Sequence, residues 1–297
     1  MPEPAMKSNG RLGRVAEELR SYWRQAANYQ KFLYTVGFLL IMSAVFHSAV
    51  LLVTGGPLEG DVSWRKPILF GEAFGLTCVS IAWFMTFLPR RPLLGWPLAF
   101  ALGIANIYEV FWVSMQQWRG VPSHFNASTP VDAAVFAAAG VMIFFTAAVT
   151  VTVTVWCFLS LRASPSLTWA IRCGLLLLLA GQMFGILIIN HGSSTFGIAG
   201  NLKVAHALAL HAAQLLPLLA WLLRHGAGGE GQRLALTLAG IAGYTLLVAI
   251  SAQQAFGGLA PLDLGPGRGS LLAFGAVLLI GSFVAGGLLL LRSQPAS

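Results

Sequence analysis

Charge is scarce in this chain. Of its 297 residues only 9% are Asp, Glu, Lys or Arg, while 57% are hydrophobic and the mean hydropathy is +0.75. A soluble domain is roughly a quarter charged, so the scarcity excludes a soluble enzyme, a disordered tail and a nucleic-acid module. Cysteine is almost missing too. Cys78, Cys157 and Cys173 sit inside apolar runs with no C-x-x-C or metal-type spacing, and they read as small buried hydrophobes, with no disulfide framework. There is no H-E-x-x-H motif and no Glu-x-x-His pair, so helix-borne metal signatures are absent as well.

Long hydrophobic runs are abundant. A bilayer core of about 30 Å needs about 20 apolar residues per helix, and about eight such stretches occur, at 32–54, 67–89, 93–117, 132–161, 167–190, 203–224, 233–256 and 270–292. Between them stand turn-forming segments such as GGPLEGD, PRRP, GVPSHFNASTP and NHGSSTFGIAGN. The expected fold is therefore an all-α polytopic transmembrane bundle. Ahead of it, residues 1–31 read as an amphipathic leader: Leu12, Val15, Leu19, Tyr22, Trp23 and Ala26 recur at helical spacing, opposite Arg11, Arg14, Glu17, Glu18, Arg20 and Arg24. Such a helix lies on a membrane surface. The first apolar run is too long for the core of a cleavable signal peptide.

Basic residues orient the bundle, because cytoplasmic loops retain Lys and Arg. With both termini cytoplasmic, thirteen fall on that side: Lys7, Arg11, Arg14, Arg20, Arg24, Lys31, Arg90, Arg91, Arg162, Arg172, Arg224, Arg233 and Arg292. Five fall outside, namely Arg65, Lys66, Arg119, Lys203 and Arg268. The expected location is a bacterial cytoplasmic (inner) membrane.

The chain also matches itself at an offset of 137. Gly103, Ile104, Ala105, Ser114, Gln116, Gln117 and Gly120 align with Gly240, Ile241, Ala242, Ser251, Gln253, Gln254 and Gly257. Gly37, Leu39, Leu40 and Gly55 align with Gly174, Leu176, Leu177 and Gly192, and Lys66 with Lys203. This spacing predicts two four-helix halves in tandem, 32–161 and 167–292, with a short tail at 293–297. An even number of spans per half makes the repeat parallel, related by an axis along the membrane normal.

Ionisable groups inside hydrocarbon cost at least ~2.5 kcal/mol each at mid-helix, so they need partners or a purpose. His47, Glu72, Glu109 and His211 come out at broadly similar depth, ~8 to 12 Å below the outer surface at 1.5 Å per residue. Asn106, Glu109, Val113 and Gln116 form a stripe on one helix face, and Lys203, His206, Leu210 and Gln214 form another. The outer loops add Trp64, Arg65, Lys66, Trp118, Arg119, His124, Asn126, His191 and Asn201. The expected picture is an outward-facing pocket at the seam of the two halves. Its plainer alternatives are interhelical hydrogen bonds for His206 and His211, pairing of Glu72 and Glu109 with Arg65, Lys66 or Lys203, and loop tethering by His124. Thr150, Thr152 and Thr154 are expected to bond helical carbonyls.

The chemistry this set suggests is a membrane-embedded metal or redox enzyme. His47, Glu72, Glu109 and His211 supply imidazole and carboxylate ligands for iron or zinc, with Glu72 and Glu109 as the catalytic carboxylates. Arg65, Lys66, Gln116, Arg119, His124, Asn126, His191, Lys203 and Gln214 would receive a lipid-soluble or anionic small molecule. A b-type haem held by His47 with His206 or His211 is the alternative oxidoreductase centre. In this respect the four-plus-four layout and chain length are similar to haem A synthase. That family carries paired histidines on the second and fourth helices of each half, and the fourth and eighth spans here carry none, so the similarity is one of layout. A third reading is a transporter or sensor that binds an extracytoplasmic ligand or takes a proton at Glu72 and Glu109. A fourth is an assembly scaffold.

Overall fold

The computed structural model describes residues 11–292. Lys7 and the tail 293–297 lie outside the described residues, as do the side chains of Arg11, Leu12 and Arg14. The described chain is an all-α bundle: α1 (Arg11–Gln25), α2 (Asn28–Thr54), α3 (Arg65–Phe84), α4 (Pro92–Trp118), α5 (Pro130–Ser160), α6 (Pro165–His191), α7 (Leu202–Arg224), α8 (Glu230–Phe256) and α9 (Pro266–Arg292). Eight of these, α2 to α9, are long and apolar enough to cross a membrane. Each lies within about one turn of its sequence-derived span. Prolines open α4, α5 and α6, where their fixed φ suits the first turn and the missing N–H costs nothing. One expected loop differs, because Thr195–Phe196 and Gly200–Asn201 pair as a small antiparallel hairpin between α6 and α7. Gly200 permits this by letting the hairpin backbone lie directly against the Ala255 carbonyl at the end of α8.

The same kinds of crossing recur along the chain. Helices α2, α3 and α4 pack on one another, as do α6, α7 and α8; α5 lies against α4 and α6, and α9 against α8 and α7. Small residues set the closest approaches. A β-carbon at Gly37 would lie 2.7 Å from the Gly75 carbonyl oxygen, and one at Gly174, 137 residues on, 3.0 Å from that of Ala212. Where lipid is as apolar as leucine, such backbone proximity is what holds helices together. Helix α3 also touches α7. The centre is built from fully buried residues that include Leu102, Ile171, Leu175, Leu178 and Leu216.

Chain alternation gives the bundle two ends. We call the end carrying α1 the α1 face and the other the far face. At the α1 face, Glu18 of α1 is fastened to the end of α7: its carboxylate accepts from His225 Nε2 at 2.7 Å and from Trp221 Nε1 at 3.3 Å, and Arg224 stands 3.4 Å away. Tyr22 Oη donates to the same carboxylate at 2.5 Å. On the other side of α1, Leu19 and Trp23 are exposed, one turn apart. Arg172 extends its guanidinium to the last carbonyls of α5, bonding Cys157 O at 3.3 Å and Phe158 O at 2.9 Å, as snorkelling toward an interface requires.

Candidate functional site

The far face gathers three sets of groups. The first is built on a helix start. Thr129 caps α5, its hydroxyl accepting from the Asp132 N–H at 3.1 Å and donating to Asp132 Oδ2 at 2.6 Å. Asp132 is only 2% exposed, and a buried carboxylate must be satisfied. Gln116 Nε2 at 2.8 Å and Arg119 Nη1 at 2.8 Å complete it, and Arg119 also bonds Gln116 Oε1. Gln116 and Arg119, expected to contact substrate, are thus committed to Asp132. Sequence reasoning missed Asp132. The signal available was Thr129-Pro130-Val131-Asp132, a cap followed by an acid three residues on.

The second set surrounds His47, which is buried on α2. Its Nδ1 donates to Ser43 O at 2.8 Å and its Nε2 accepts from Trp118 Nε1 at 3.2 Å. The indole can only donate, which assigns both imidazole nitrogens. The expected metal set of His47, Glu72, Glu109 and His211 is not brought together: among the described residues no three His, Cys, Asp or Glu side chains converge on one point. Spacing along a helix gives rise per residue but not direction around the helix axis, and direction decides whether side chains meet. Glu72 is exposed on α3, whereas Glu109 is buried on α4. His206, an expected cofactor ligand, bridges helices through one ring nitrogen, its Nδ1 lying 2.7 Å from Gly181 O, with Gly185 leaving room for the ring. His211 lies within electrostatic range of His206.

The third set lies at the seam. Lys66 in the first turn of α3 and Lys203 in the first turn of α7 stand within electrostatic range of each other, and exposed Arg65 adds a third cation. Both lysines act on His124, whose loop connects α4 and α5. The imidazole is pressed against Phe70, with ring centroids 5.3 Å apart, and Phe136, at 6.2 Å, while its Nδ1 meets Ser123 Oγ at 2.9 Å. Burial, then the charges of Lys66 and Lys203, push its pKa from 6.5 down to about 4. Lys66 Nζ donates to the Asp61 carbonyl. Among the described residues neither lysine has a carboxylate at ion-pair distance.

The remaining expected contacts have local duties. Asn126 is buried and shapes its own loop, donating to Pro122 O at 3.0 Å and accepting from Ser128 N–H at 3.1 Å. His191 is exposed and stacks on Phe196 with centroids 4.2 Å apart. The Gln214 amide donates to Leu210 O at 3.0 Å and His211 O at 3.2 Å on its own helix. Asn201 caps α7 by accepting from Lys203 N–H at 3.1 Å. Thr150, Thr152 and Thr154 bond carbonyls four residues back, as expected. Comparison of the chain with protein-family models, curated proteins and solved structures returned no match. The molecule is a polytopic helical membrane protein whose far face concentrates cationic and polar groups where α3 meets α7.

Proposed function

We propose that this protein binds a small anion, or the anionic headgroup of a lipid, at the far-face seam between α3 and α7, acting as a sensor or transporter. One observation carries the reading: Lys66 and Lys203 are held in each other's field with no carboxylate at ion-pair distance from either, the Asp61 charge acting on Lys66 only from beyond that distance. Like charges kept together repel unless an anion sits between them. Both lysines stand in the first turn of a helix, α3 or α7, where the positive end of the helix dipole favours negative charge. His124, kept neutral by its surroundings, offers Nε2 as a hydrogen-bonding group without adding charge. Arg65 widens the cationic rim. The excess of Lys and Arg at the α1 face supports placing that face in the cytoplasm of a bacterial cell, so the anion arrives from outside the cytoplasmic membrane.

The test uses the full chain. Inorganic phosphate added to detergent-solubilised protein should raise Tm, and phosphatidylglycerol in nanodiscs should do so relative to zwitterionic lipid if the headgroup is the source. The double variant Lys66→Gln/Lys203→Gln should lose both responses. A Tm response that survives in the double variant, or no response to either probe in the unmodified protein, overturns the reading.

A second reading, a bound iron, zinc or haem, is favoured by the pair His206 and His211. His206 Nε2 makes no hydrogen bond among the described residues, and His211 makes none through its ring. An absorption spectrum with elemental analysis of the purified protein tests it, since His211→Ala should release the bound centre.

A further inference from the structure

One carboxylate of the bundle is answered by nothing around it. Glu109 lies on α4 between two satisfied layers and is 1% exposed. Two turns toward the far face, Gln116, Arg119 and Thr129 saturate Asp132. One turn the other way, Asn106 donates to Cys78 Sγ at 3.2 Å and Phe74 O at 3.4 Å and accepts from Thr146 Oγ1 at 3.1 Å, joining α3, α4 and α5. Glu109 Oε1 has no hydrogen-bond partner among the described residues, and none of the ion pairs there involves Glu109.

The titratable groups on the packed elements are engaged elsewhere. On α2, His47 is held by Ser43 and Trp118. On α3, Lys66 bonds the Asp61 carbonyl and Glu72 is exposed. On α5, Asp132 is saturated, and Tyr108 of α4 itself reaches Val135 O at 3.4 Å. In the loop above, His124 is held by Ser123, Phe70 and Phe136. A bare carboxylate at this depth is costly without a counter-charge, and the smallest species that removes the charge is a proton.

We propose that Glu109 is a proton-binding site within the membrane span, taking up and releasing one proton at its unpartnered carboxylate. The site stands on its own geometry.

Infrared difference spectra of the full chain in nanodiscs, recorded across the pH range in which it stays folded, test the proposal. Protein labelled with carboxyl-13C glutamate should show a protonated-carboxyl C=O stretch sensitive to the label. That band should vanish in Glu109→Gln and persist in Glu72→Gln. Its absence at every pH, or its survival at full amplitude in Glu109→Gln, overturns the proton site. Should Glu109→Gln fail to fold, Glu109→Asp serves, in which the band must lose its sensitivity to the glutamate label; a band that keeps it overturns the site equally.

Discussion

The two ends of the bundle use their carboxylates differently. At the α1 face, Glu17 pairs with Arg20 and Arg24, Glu18 with Arg224 and His225, and Glu230 accepts the Ser166 N–H at 2.8 Å to cap α6. Arg90 and Arg172 end on backbone carbonyls. At the far face, Asp132 and Arg119 alone form an ion pair among the described residues, while Lys66 and Lys203 have none. Basic groups without a carboxylate at ion-pair distance remain at both ends, Lys31, Arg91, Arg162 and Arg292 at the α1 face among them, so what sets the far face apart is that two such groups, Lys66 and Lys203, act on each other. This difference separates the clamp at Glu18 from the seat at the seam, although both are clusters of basic groups around helix ends.

Four experiments bear on this contrast. Removing the far-face exception should have the largest effect: Asp132→Ala strands Gln116, Arg119 and Thr129 at once, and should lower Tm more than any of the substitutions below. If it does not, the far face owes its order to packing alone. Next, Gly37→Leu forces α2 off the Gly75 backbone and should cost about 1 to 3 kcal/mol, with Gly174→Leu costing less because its crossing is looser. Smaller again, Glu18→Gln should cost about 1 kcal/mol and expose the α1 linker to limited proteolysis. An unchanged cleavage rate would show that α1 is held by its apolar side only.

The smallest effect is in pH. Burial raises the pKa of Glu18, but hydrogen bonds from Tyr22 and His225 and the charge of Arg224 outweigh it and hold the carboxyl below 4.5. A depressed acid stabilises above its ordinary pKa, and this contribution is lost as pH falls below 4.5. His124 is a base held at about 4, so the folded state binds fewer protons than the unfolded one between pH 6.5 and 4, and stability falls as pH drops through that window. His124→Gln should flatten the upper part of the Tm profile and Glu18→Gln the lower. If the two variants flatten the same part, the pH response does not distinguish the two faces.

Much of the bundle was legible because spans are a matter of length and composition. The eight helices, the amphipathic pattern of α1, the carbonyl bonds of the threonine run and the closeness of Lys66 and Lys203 all follow from spacing. The candidate metal set did not, because rise per residue fixes depth but azimuth depends on which neighbours each helix meets. Glu72 is exposed and Glu109 buried for that reason. Partners far along the chain were equally hidden: nothing near Glu18 points to His225, which is 207 residues away, and nothing near His47 points to Trp118. Asp132 was visible as a helix-start residue, but its burial arises only when α4 supplies Gln116 and Arg119.

The crossing at Gly37 and Gly75, and its counterpart at Gly174 and Ala212, also bears on how the chain enters its membrane. Helices α3 and α7 carry Lys66 and Glu72, and Lys203, His206 and His211, which make them the poorer candidates for entering lipid alone. Each directly follows a strongly apolar helix, α2 or α6, against which its backbone lies nearly flush. The natural unit of insertion is therefore the hairpin, in which the apolar helix leads and the polar one follows already docked, with its charged turn left at the far side.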